Sequence, residues 1–550
     1  MTNYTRSLSR AAEISRQKSS DHKNVLWDTK ALQEFLYPVF LAFLGLILYN
    51  TTDRSKRRRQ RFGRHIRQRG HSMKKNSESE YIKSIRPTAK ALVEELCAHF
   101  EYASLLALDS RGKNYRVQRS GVTVSDEPLY CSRGFVIRYT KNKKLYEYSF
   151  SSLTKEEIPG IVAHAKELCD DGTYSEKDGY ENRADFVLRE EPCVASYATE
   201  YELDPEEYGD SRIIEDLSAA RDAALDSDER VFDAVTRCSY KKYTKLFLSK
   251  EKDLCESVMW TTATVITLCK SGDRIKDSYQ GFSNLGGAEI IRKMAEEGVA
   301  LSVKHATELL SSEQITPGEY ECICAPDVTG MIVHEAFGHG VEMDMFVKDR
   351  ALARDYIGKR VASDLVTMHD SACAVKEAAS FFFDDEGNVS RDTLIISKGI
   401  LLGGIADAVS ADTLGVAPTG NGRRESYERK AYTRMTNTYF EAGSDSVEDM
   451  IASVKHGFLL EEARSGMEDP KNWGIQCMVG IAREIRGGVL TGRIFSPVVL
   501  TGYVPDLLKS ISMTSKETHL CGTGFCGKGY KEWVKVSDGG PFIKARITLG

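Results

Sequence analysis

The sequence predicts an α+β fold that consists of an N-terminal α/β unit, a central antiparallel sheet with helices, and a C-terminal β-rich domain. Runs with apolar residues at helical spacing alternate with shorter runs of alternating apolar and polar residues, the pattern of strands with one buried face. Polar segments at 172–190 and 311–318 separate these runs into groups. We therefore place domains at residues 80–170, 190–311 and 317–550, preceded by a distinct segment, 1–72.

The N-terminal α/β unit is predicted to begin with a helix at 88–100, where apolar residues recur at helical spacing. Strands at 134–140 and 144–150 and a helix at 155–168 complete it. The short turn between the two strands predicts that they pair with each other.

The central unit is predicted to hold strands between two helices. Strands joined by short turns pair antiparallel, so we expect one antiparallel sheet with its helices on one side. The predicted elements are a helix at 211–226, strands at 230–238, 240–250 and 257–269, and a helix at 288–311. The C-terminal domain is predicted from its glycine content and short strand-like runs, for example at 319–324, 392–397 and 541–548.

Charge is distributed unevenly along the chain. The formal net charge is −5, but residues 1–72 contain 15 Lys/Arg and 5 Asp/Glu, so the remainder carries −15. Phosphates of nucleic acids are bound by Lys and Arg. The acidic remainder therefore argues against direct binding to DNA or RNA.

Residues 35–52 form an uncharged, largely apolar run of 18 residues, close to the roughly 20 that span a bilayer as a helix. Nine Lys/Arg follow between Arg54 and Arg69, which would place the rest of the chain in the cytoplasm. Alternatively, segment 1–72 is a mis-assigned upstream translation, because Met73-Lys-Lys-Asn-Ser-Glu resembles a protein start. Both interpretations predict a cytoplasmic body, with a membrane contact only if 35–52 is a true anchor.

The chain contains 13 cysteines, an odd number without the regular spacing of a secreted disulfide scaffold. This usage is typical of a reducing compartment such as the cytoplasm. There, a few cysteines can serve as metal ligands while most are small buried residues.

The sharpest local signal is Val333-His-Glu-Ala-Phe-Gly-His-Gly340, in which His334 and His339 flank Glu335. Imidazole nitrogens are common Zn²⁺ ligands. A carboxylate beside the first histidine can reach a zinc-activated water and take its proton as it attacks a carbonyl. The motif therefore predicts a zinc site with Glu335 as catalytic base, and a metal-binding role for the C-terminal β-rich domain.

The two histidines are five residues apart, about 140° around a regular α-helix, so such a helix would point them apart. They can converge through a π-type turn, which aligns residues five apart, or if the helix ends near Gly338. We therefore expect a distorted helix end at this motif.

Zinc needs at least one further protein ligand beside two histidines. Glu342 and Asp344 follow the motif, and Cys521 and Cys526 lie far along the chain in Cys-Gly-Thr-Gly-Phe-Cys-Gly-Lys. The residues alone leave these four candidates open.

Six segments follow one another in a characteristic order: His334-Glu-Ala-Phe-Gly-His-Gly-Val-Glu-Met-Asp344, Phe383-Asp-Asp-Glu-Gly387, Thr419-Gly-Asn-Gly-Arg-Arg-Glu-Ser426, Arg434-Met-Thr-Asn-Thr-Tyr439, Ile451-Ala-Ser-Val-Lys-His-Gly457 and Cys526-Gly-Lys528. Together they resemble the TldD/PmbA family of metallopeptidases, and specifically its TldD-type catalytic subunit. The resemblance covers about residues 317–548. The family's PmbA-type subunit lacks the HExxxH motif, so its presence here favours the active type.

This resemblance implies that His334, His339 and Cys526 bind the zinc and that Glu335 is the base. It also implies a two-subunit assembly, either a homodimer or a heterodimer with a PmbA-type subunit.

The resemblance further suggests that the loop with Asn421 and Arg424 lines the substrate cleft. Arg434-Met-Thr-Asn437 would likewise present Arg434 and Asn437 to a peptide. The alternative for both segments is a purely structural one, a glycine-rich turn and a buried asparagine that satisfies strand edges.

The sequence thus predicts a zinc-dependent peptidase for unfolded or small peptides, which would enter as an extended strand. The alternative is a non-catalytic peptide-binding or regulatory subunit with a structural metal, closed by Cys521 or Glu342 as a fourth protein ligand. A coordination position open to water distinguishes the two functions.

Overall fold

The structure is a computed structural model that describes residues 73–126, 131–170, 190–529 and 531–550. The predicted anchor at 35–52, like all of segment 1–72, lies outside the described residues. No described helix is both long and apolar enough to cross a membrane. All the helices and strands described lie in the compact unit His71–Gly550.

Helices and strands are numbered in chain order. The helices are α1 Glu80–Cys97, α2 Ile158–Asp170, α3 Pro205–Tyr208, α4 Asp210–Leu225, α5 Ile290–Lys293, α6 Val299–Leu309, α7 Pro326–Val333, α8 Met343–Val347, α9 Ala408–Leu414, α10 Val447–Ala452 and α11 Val504–Lys509. π-Helical turns lie at Met294–Gly298 and His334–Gly338, and 3₁₀ turns at His339–Val341 and Leu352–Tyr356.

The strands of the first two predicted units are β1 Lys74–Lys75, β2 Tyr102–Gln118, β3 Gly121–Ser125, β4 Ser132–Lys141, β5 Lys144–Phe150, β6 Cys193–Ala198, β7 Glu200–Tyr201, β8 Val231–Ser249, β9 Lys252–Ser271 and β10 Arg274–Asn284. Those of the C-terminal region are β11 Gly318–Cys324, β12 Met368–Ser371, β13 Asp392–Ser397, β14 Ile400–Leu401, β15 Gly422–Arg423, β16 Tyr432–Thr433, β17 Asn437–Phe440, β18 His456–Asp469, β19 Gly474–Arg486, β20 Val489–Phe495, β21 Val498–Tyr503, β22 Met513–Cys521, β23 Phe525–Lys528, β24 Lys531–Lys535 and β25 Ser537–Leu549.

Strands of the first two predicted units join in one sheet of eight strands. Its order is β10-β9-β8-β2-β4-β5, with β3 beside β2 and β6 beside β9. All its pairings are antiparallel except that of β6 with β9. The predicted antiparallel sheet is therefore present, and it extends into the N-terminal region. The division into three domains stays a prediction.

The prediction of two strands at 230–238 and 240–250 is wrong, because the structure has the single strand β8. No glycine or proline interrupts β8, and it pairs with β2 on one side and β9 on the other. The predicted helix at 288–311 is present in three parts, since a π-helical turn separates α5 from α6.

Helices cover one face of this sheet, as predicted. Successive side chains of a strand point to opposite faces. Leu105 and Ala107 pack in the cluster beneath α1 and α2, whereas Leu106 packs on the opposite face with Phe247 and Phe383. The second face of the sheet is thus covered by the C-terminal region.

Five strands of the C-terminal region close into a ring, which confirms the predicted β-rich domain. β11 pairs with β18 and with β25, and β19 and β21 complete the path between them. β25 also pairs with β17 and β22. The large C-terminal core cluster lies around this ring.

Helix α7 crosses closely over β25. It follows β11 directly and begins with Pro326, whose fixed φ suits the first helical position. Gly330 faces Gly539 of β25, and a Cβ added at Gly330 would lie 2.6 Å from the Gly539 amide nitrogen. Only glycine at 330 therefore permits this approach of helix and strand.

We expect Gly330→Ala to destabilise the fold by about 1–3 kcal/mol, the usual cost of overpacking a buried site. Gly502→Ala is the matched control, because nothing lies within 4 Å of the added Cβ. Thermal unfolding followed by circular dichroism should show a lower midpoint for the first variant only. Equal midpoints would contradict the close contact between α7 and β25.

Candidate metal centre

The histidine motif lies where a helix changes its winding. After α7 ends at Val333, His334–Gly338 form a π-helical turn and His339–Val341 a 3₁₀ turn. The N–H of His339 donates to the carbonyl of His334, five residues before it. Such a turn brings residues five apart into line. The predicted distorted helix end is confirmed.

Gly338 lets the π-helical turn lie directly on a neighbouring side chain. A Cβ at Gly338 would lie 2.1 Å from Sδ of Met435, far inside normal contact. Gly340 is not constrained in this way, since the nearest atom to an added Cβ is Nε1 of Trp473 at 3.9 Å. The two glycines of the motif therefore have different roles.

Cys526 meets both histidines although it lies 187 residues beyond His339. Its Sγ is 3.2 Å from Nε2 of His334 and 3.2 Å from Nε2 of His339. The three donor atoms lie within 4.8 Å of one another. In the described part of the chain, no other three His, Cys, Asp or Glu side chains form such a group.

The sulfur of Cys526 and the two imidazole rings favour charges of opposite sign. Burial raises the pKa of the Cys526 thiol, but the two neighbouring rings outweigh it and hold that pKa well below its ordinary value. Burial lowers the pKa of each imidazole, yet the thiolate raises both, that of His339 strongly. A divalent cation would take the place of the imidazole protons, as in other Cys/His metal sites.

The other candidate ligands contact different groups. Arg434 Nε donates to Glu342 at 3.1 Å, and Lys528 Nζ lies 3.2 Å from Glu342 and 2.6 Å from Asp344. The Cys521 thiol donates to a carbonyl of β10 at 3.5 Å. Burial favours the neutral form of Glu342, but Lys528 and His339 hold its pKa well below the ordinary value, so it is ionised.

Glu342 and Arg434 hold two members of the cluster in place. Nδ1 of His339 lies 3.4 Å from Glu342 Oε2, the kind of contact that fixes the orientation of a metal-binding imidazole. Arg434 Nη2 donates to the Cys526 carbonyl and to Sγ, each at 3.0 Å. Arg434 is fully buried, so these contacts form away from solvent.

The donor set fits a zinc ion. Two imidazole nitrogens and a thiolate match the ligand preference of Zn²⁺, and three protein ligands leave a fourth position for water. The buried Nδ1 of His334 has no hydrogen-bond partner among the described residues, and Asp538 Oδ2 lies 3.9 Å from it. Burial raises the pKa of Asp538 to about 6.

Glu335 is half-buried, and its carboxylate has no hydrogen-bond or ion-pair partner in the part of the chain that the structure describes. It lies over Gly466 of β18, where an added Cβ would be 2.4 Å from Glu335 Cγ. Gly466 therefore leaves the room that the carboxylate occupies. An unpaired carboxylate next to His334 is available to accept a proton.

Two supporting residues, Lys528 and Gly466, were not singled out from the sequence. Lys528 could have been found, since it belongs to the Cys526-Gly-Lys528 segment. The sequence does not indicate the role of Gly466, because a glycine within a strand can be required for several different structural reasons.

The four side chains predicted to bind substrate all contact groups of the protein itself. Each donates at least one N–H hydrogen bond to a carboxylate or a backbone carbonyl of the chain. Their role in binding substrate stays a prediction. The contacts are Asn421 Nδ2 to Asp370 Oδ1 (2.8 Å), Arg424 Nη1 to Glu147 Oε2 (3.3 Å), Arg434 Nε to Glu342 Oε1 (3.1 Å) and Asn437 Nδ2 to the Ser371 carbonyl (2.7 Å).

Comparison with known proteins identifies similar sequences. Residues 317–546 match the model of the PmbA/TldA metallopeptidase C-terminal domain. The chain is 35% identical over 251 residues to a protein named metalloprotease TldD homolog of Haemophilus influenzae, covering 45% of this chain and 52% of that protein. It is 28% identical over 348 residues to a metalloprotease of Methanothermobacter thermautotrophicus (62% and 76%). It is 26% identical over 314 residues to a zinc metalloprotease TldD homolog of Saccharolobus solfataricus (56% and 70%). The matches thus span about half to three quarters of these relatives.

Solved structures share the fold. TldE from Thermococcus kodakarensis superposes with a TM-score of 0.66 at 18% sequence identity, covering 84% of this chain and all of that one. A putative modulator of DNA gyrase from Bacteroides thetaiotaomicron gives 0.64 at 17% identity, covering 86% and 99%.

We expect Cys526→Ser to weaken zinc binding by more than about 100-fold, because even the loss of an outer-sphere partner costs 10–100-fold. Cys521→Ser is the matched control, since Cys521 lies outside the donor cluster. Metal content after dialysis against a graded zinc buffer should fall only in the first variant. Equal zinc content in both would exclude Cys526 as a ligand.

Gly338→Ala should also weaken zinc binding, because the added methyl group would lie 2.1 Å from Sδ of the fully buried Met435, so the packing between this side chain and the π-helical turn must change. Gly340→Ala has room for its methyl group and serves as control within the same motif. Zinc titration with a chromophoric chelator as competitor measures both. A Gly338→Ala protein with the affinity of the control would show that the close contact between Gly338 and Met435 is not needed for the site.

Proposed function

We propose that this chain belongs to the TldD/PmbA family, whose C-terminal domain model matches residues 317–546, and that it is a zinc-dependent peptidase that hydrolyses unfolded or small peptides. His334, His339 and Cys526 are the proposed metal ligands, and Glu335 is the proposed catalytic base. The observation that carries the proposal is the convergence of two imidazoles and one thiolate beside an unpaired carboxylate. A relative named as a zinc metalloprotease supports the choice of metal.

His334, His339 and Cys526 would hold the zinc ion, which would supply Lewis-acid polarisation of the scissile carbonyl. Glu335 accepts a proton from the attacking water and then donates it to the leaving amine. Since the carboxylate of Glu335 has no partner among the described residues, this transfer breaks no existing hydrogen bond. Gly466 keeps the space that this carboxylate needs.

Other side chains of the chain position these groups. Glu342 orients the ring of His339 through Nδ1, and Arg434 holds Cys526 through two hydrogen bonds. The N–H groups of Asn421 and Asn437 are engaged with the protein, which favours a role in shaping the cleft over direct contact with the peptide.

A second subunit is part of the proposal. This chain would pair with a PmbA-type subunit, as the family resemblance implies, and a homodimer is the other form. An extended peptide would add as a strand to a sheet edge near the metal centre.

The alternative function is a non-catalytic subunit with a structural metal. It requires Cys521 or Glu342 as a fourth protein ligand. Glu342 is instead bound by Arg434 and Lys528, and the Cys521 thiol faces β10, so both contacts favour the peptidase.

We expect Glu335→Gln to reduce peptide hydrolysis by about 10²–10⁴-fold, the usual contribution of a general base. Its zinc content should remain that of the wild type, because Glu335 is not a proposed ligand. Glu517→Gln is the control, as Glu517 is exposed and distant in sequence from the motif. Cleavage of casein or an unstructured peptide mixture, with metal analysis of the same samples, measures both properties.

Full activity of Glu335→Gln would exclude Glu335 as the base. A wild-type protein that binds zinc but cleaves nothing, alone or with a PmbA-type partner, would favour the non-catalytic alternative.

A further inference from the structure

A cavity of about 110 Å³ lies between the central sheet and the C-terminal region. It is on the face of the sheet that the helices do not cover. Its wall combines basic and aromatic side chains, among them Lys241, Lys245, Trp260, Arg423, Phe525 and Lys535. Binding sites for small groups have this mixed character, with an apolar wall and a few polar groups.

The hairpin β23–β24 separates this cavity from the metal centre. Phe525 pairs with Lys535, and the next pair is Cys526 with Val534. Successive side chains of a strand point to opposite faces. Cys526 faces the histidines, so Phe525 and Lys535 face the other way and line the cavity. A ligand in the cavity would therefore contact the hairpin that carries Cys526.

Lys535 is buried, with 6% of its surface exposed, and no carboxylate of the described residues forms an ion pair with it. Its ammonium lies 4.6 Å from the ring centre of Trp260 and 4.8 Å from that of Phe525. Among the described residues, neither a hydrogen-bond acceptor nor a carboxylate within 4 Å contacts it. Burial lowers the pKa of Lys535 to about 7. Glu377 raises the pKa of Lys535 only from beyond ion-pair distance. Burial raises the pKa of Glu377 itself to about 7.

Arg423 is a second cation of the wall without a carboxylate within 4 Å in the described residues. Its guanidinium lies 5.3 Å from the ring centre of Phe381 and donates to a backbone carbonyl. The three acids of the wall already accept hydrogen bonds from the protein: Asp385 accepts from Lys245 at 3.0 Å and from the Arg424 amide at 2.7 Å, Asp384 accepts from the Gly422 amide at 2.9 Å, and Glu425 accepts from the Glu532 amide at 2.7 Å. The wall therefore holds two cations, Lys535 and Arg423, that no carboxylate of the described residues contacts within 4 Å.

We propose that this cavity binds a carboxylate group of a peptide, with Lys535 and Arg423 as counter-ions and with Trp260 and Phe525 against its hydrocarbon part. A buried ammonium without a partner is costly, and a bound carboxylate removes that cost. The inference rests on the proposed function in taking the ligand to be a peptide. The carboxylate can belong to the C-terminus of the peptide or to an Asp or Glu side chain.

Isothermal titration calorimetry of the full-chain Glu335→Gln protein tests this binding without hydrolysis. The first pair of probes is acetylated tetra-alanine with a free C-terminus and its C-terminal amide. The second pair is an acetylated, amidated tetrapeptide with one Glu among alanines, and the same peptide with Gln. In at least one pair we expect the carboxylate form to bind about tenfold more tightly or better, the size of a charge-assisted hydrogen bond. The pair that shows the preference identifies the source of the carboxylate.

Variants at Lys535 show whether the preference arises in this cavity. Lys535→Met, which keeps the length of the side chain, should abolish it, and Lys535→Arg should retain it. Lys516→Met is the matched control, because Lys516 is exposed and carries the same change. Thermal unfolding of each variant confirms that it is folded.

No binding of any probe, equal binding within both pairs, or an unchanged preference in Lys535→Met would overturn the proposal. Peptides that bind with this preference but are never cleaved by the wild type would instead contradict the proposed peptidase function.

Discussion

The candidate metal centre depends on one constraint, namely that two histidines five residues apart must face the same point. An α-helix cannot satisfy it, and the π-helical turn at His334–Gly338 does. The backbone by itself rarely favours a π-helical turn, so packing against neighbouring elements on both sides must stabilise it. The glycine contacts of α7 with β25, and of Gly338 with Met435, supply this support. The position of Glu335 follows from the same turn.

Buried charges around the site form a connected set. Glu342 contacts His339, Arg434 and Lys528, and Arg434 continues the set to Cys526. Removing one member of such a set leaves its partner charged and buried, which commonly costs 3–5 kcal/mol. The set is therefore better understood as fixing the arrangement of the donors than as adding stability to the fold.

Local patterns in the sequence predicted local structure well. The helical spacing before residue 100 marks α1, the five-residue histidine spacing marks the distorted turn, and strand patterns mark β4, β5, β11 and β13. Contacts between residues far apart in the chain leave no such pattern in the sequence. The spacing could not choose Cys526 among four candidate ligands, and only the family resemblance implied it. Nothing in the sequence showed that β2 pairs with β8, or that Gly466 makes room for Glu335.

The order of the donors along the chain has a consequence for biosynthesis. At roughly 5–20 residues per second, a ribosome adds His334 and His339 to the chain about 10–40 seconds before Cys526, which lies 187 residues after His339. The ring of strands also stays open until β25, which pairs with β11, has been made. If these three side chains bind a metal, its insertion would be a late step in maturation, because a nascent chain that captured zinc earlier would lack the Cys526 thiolate.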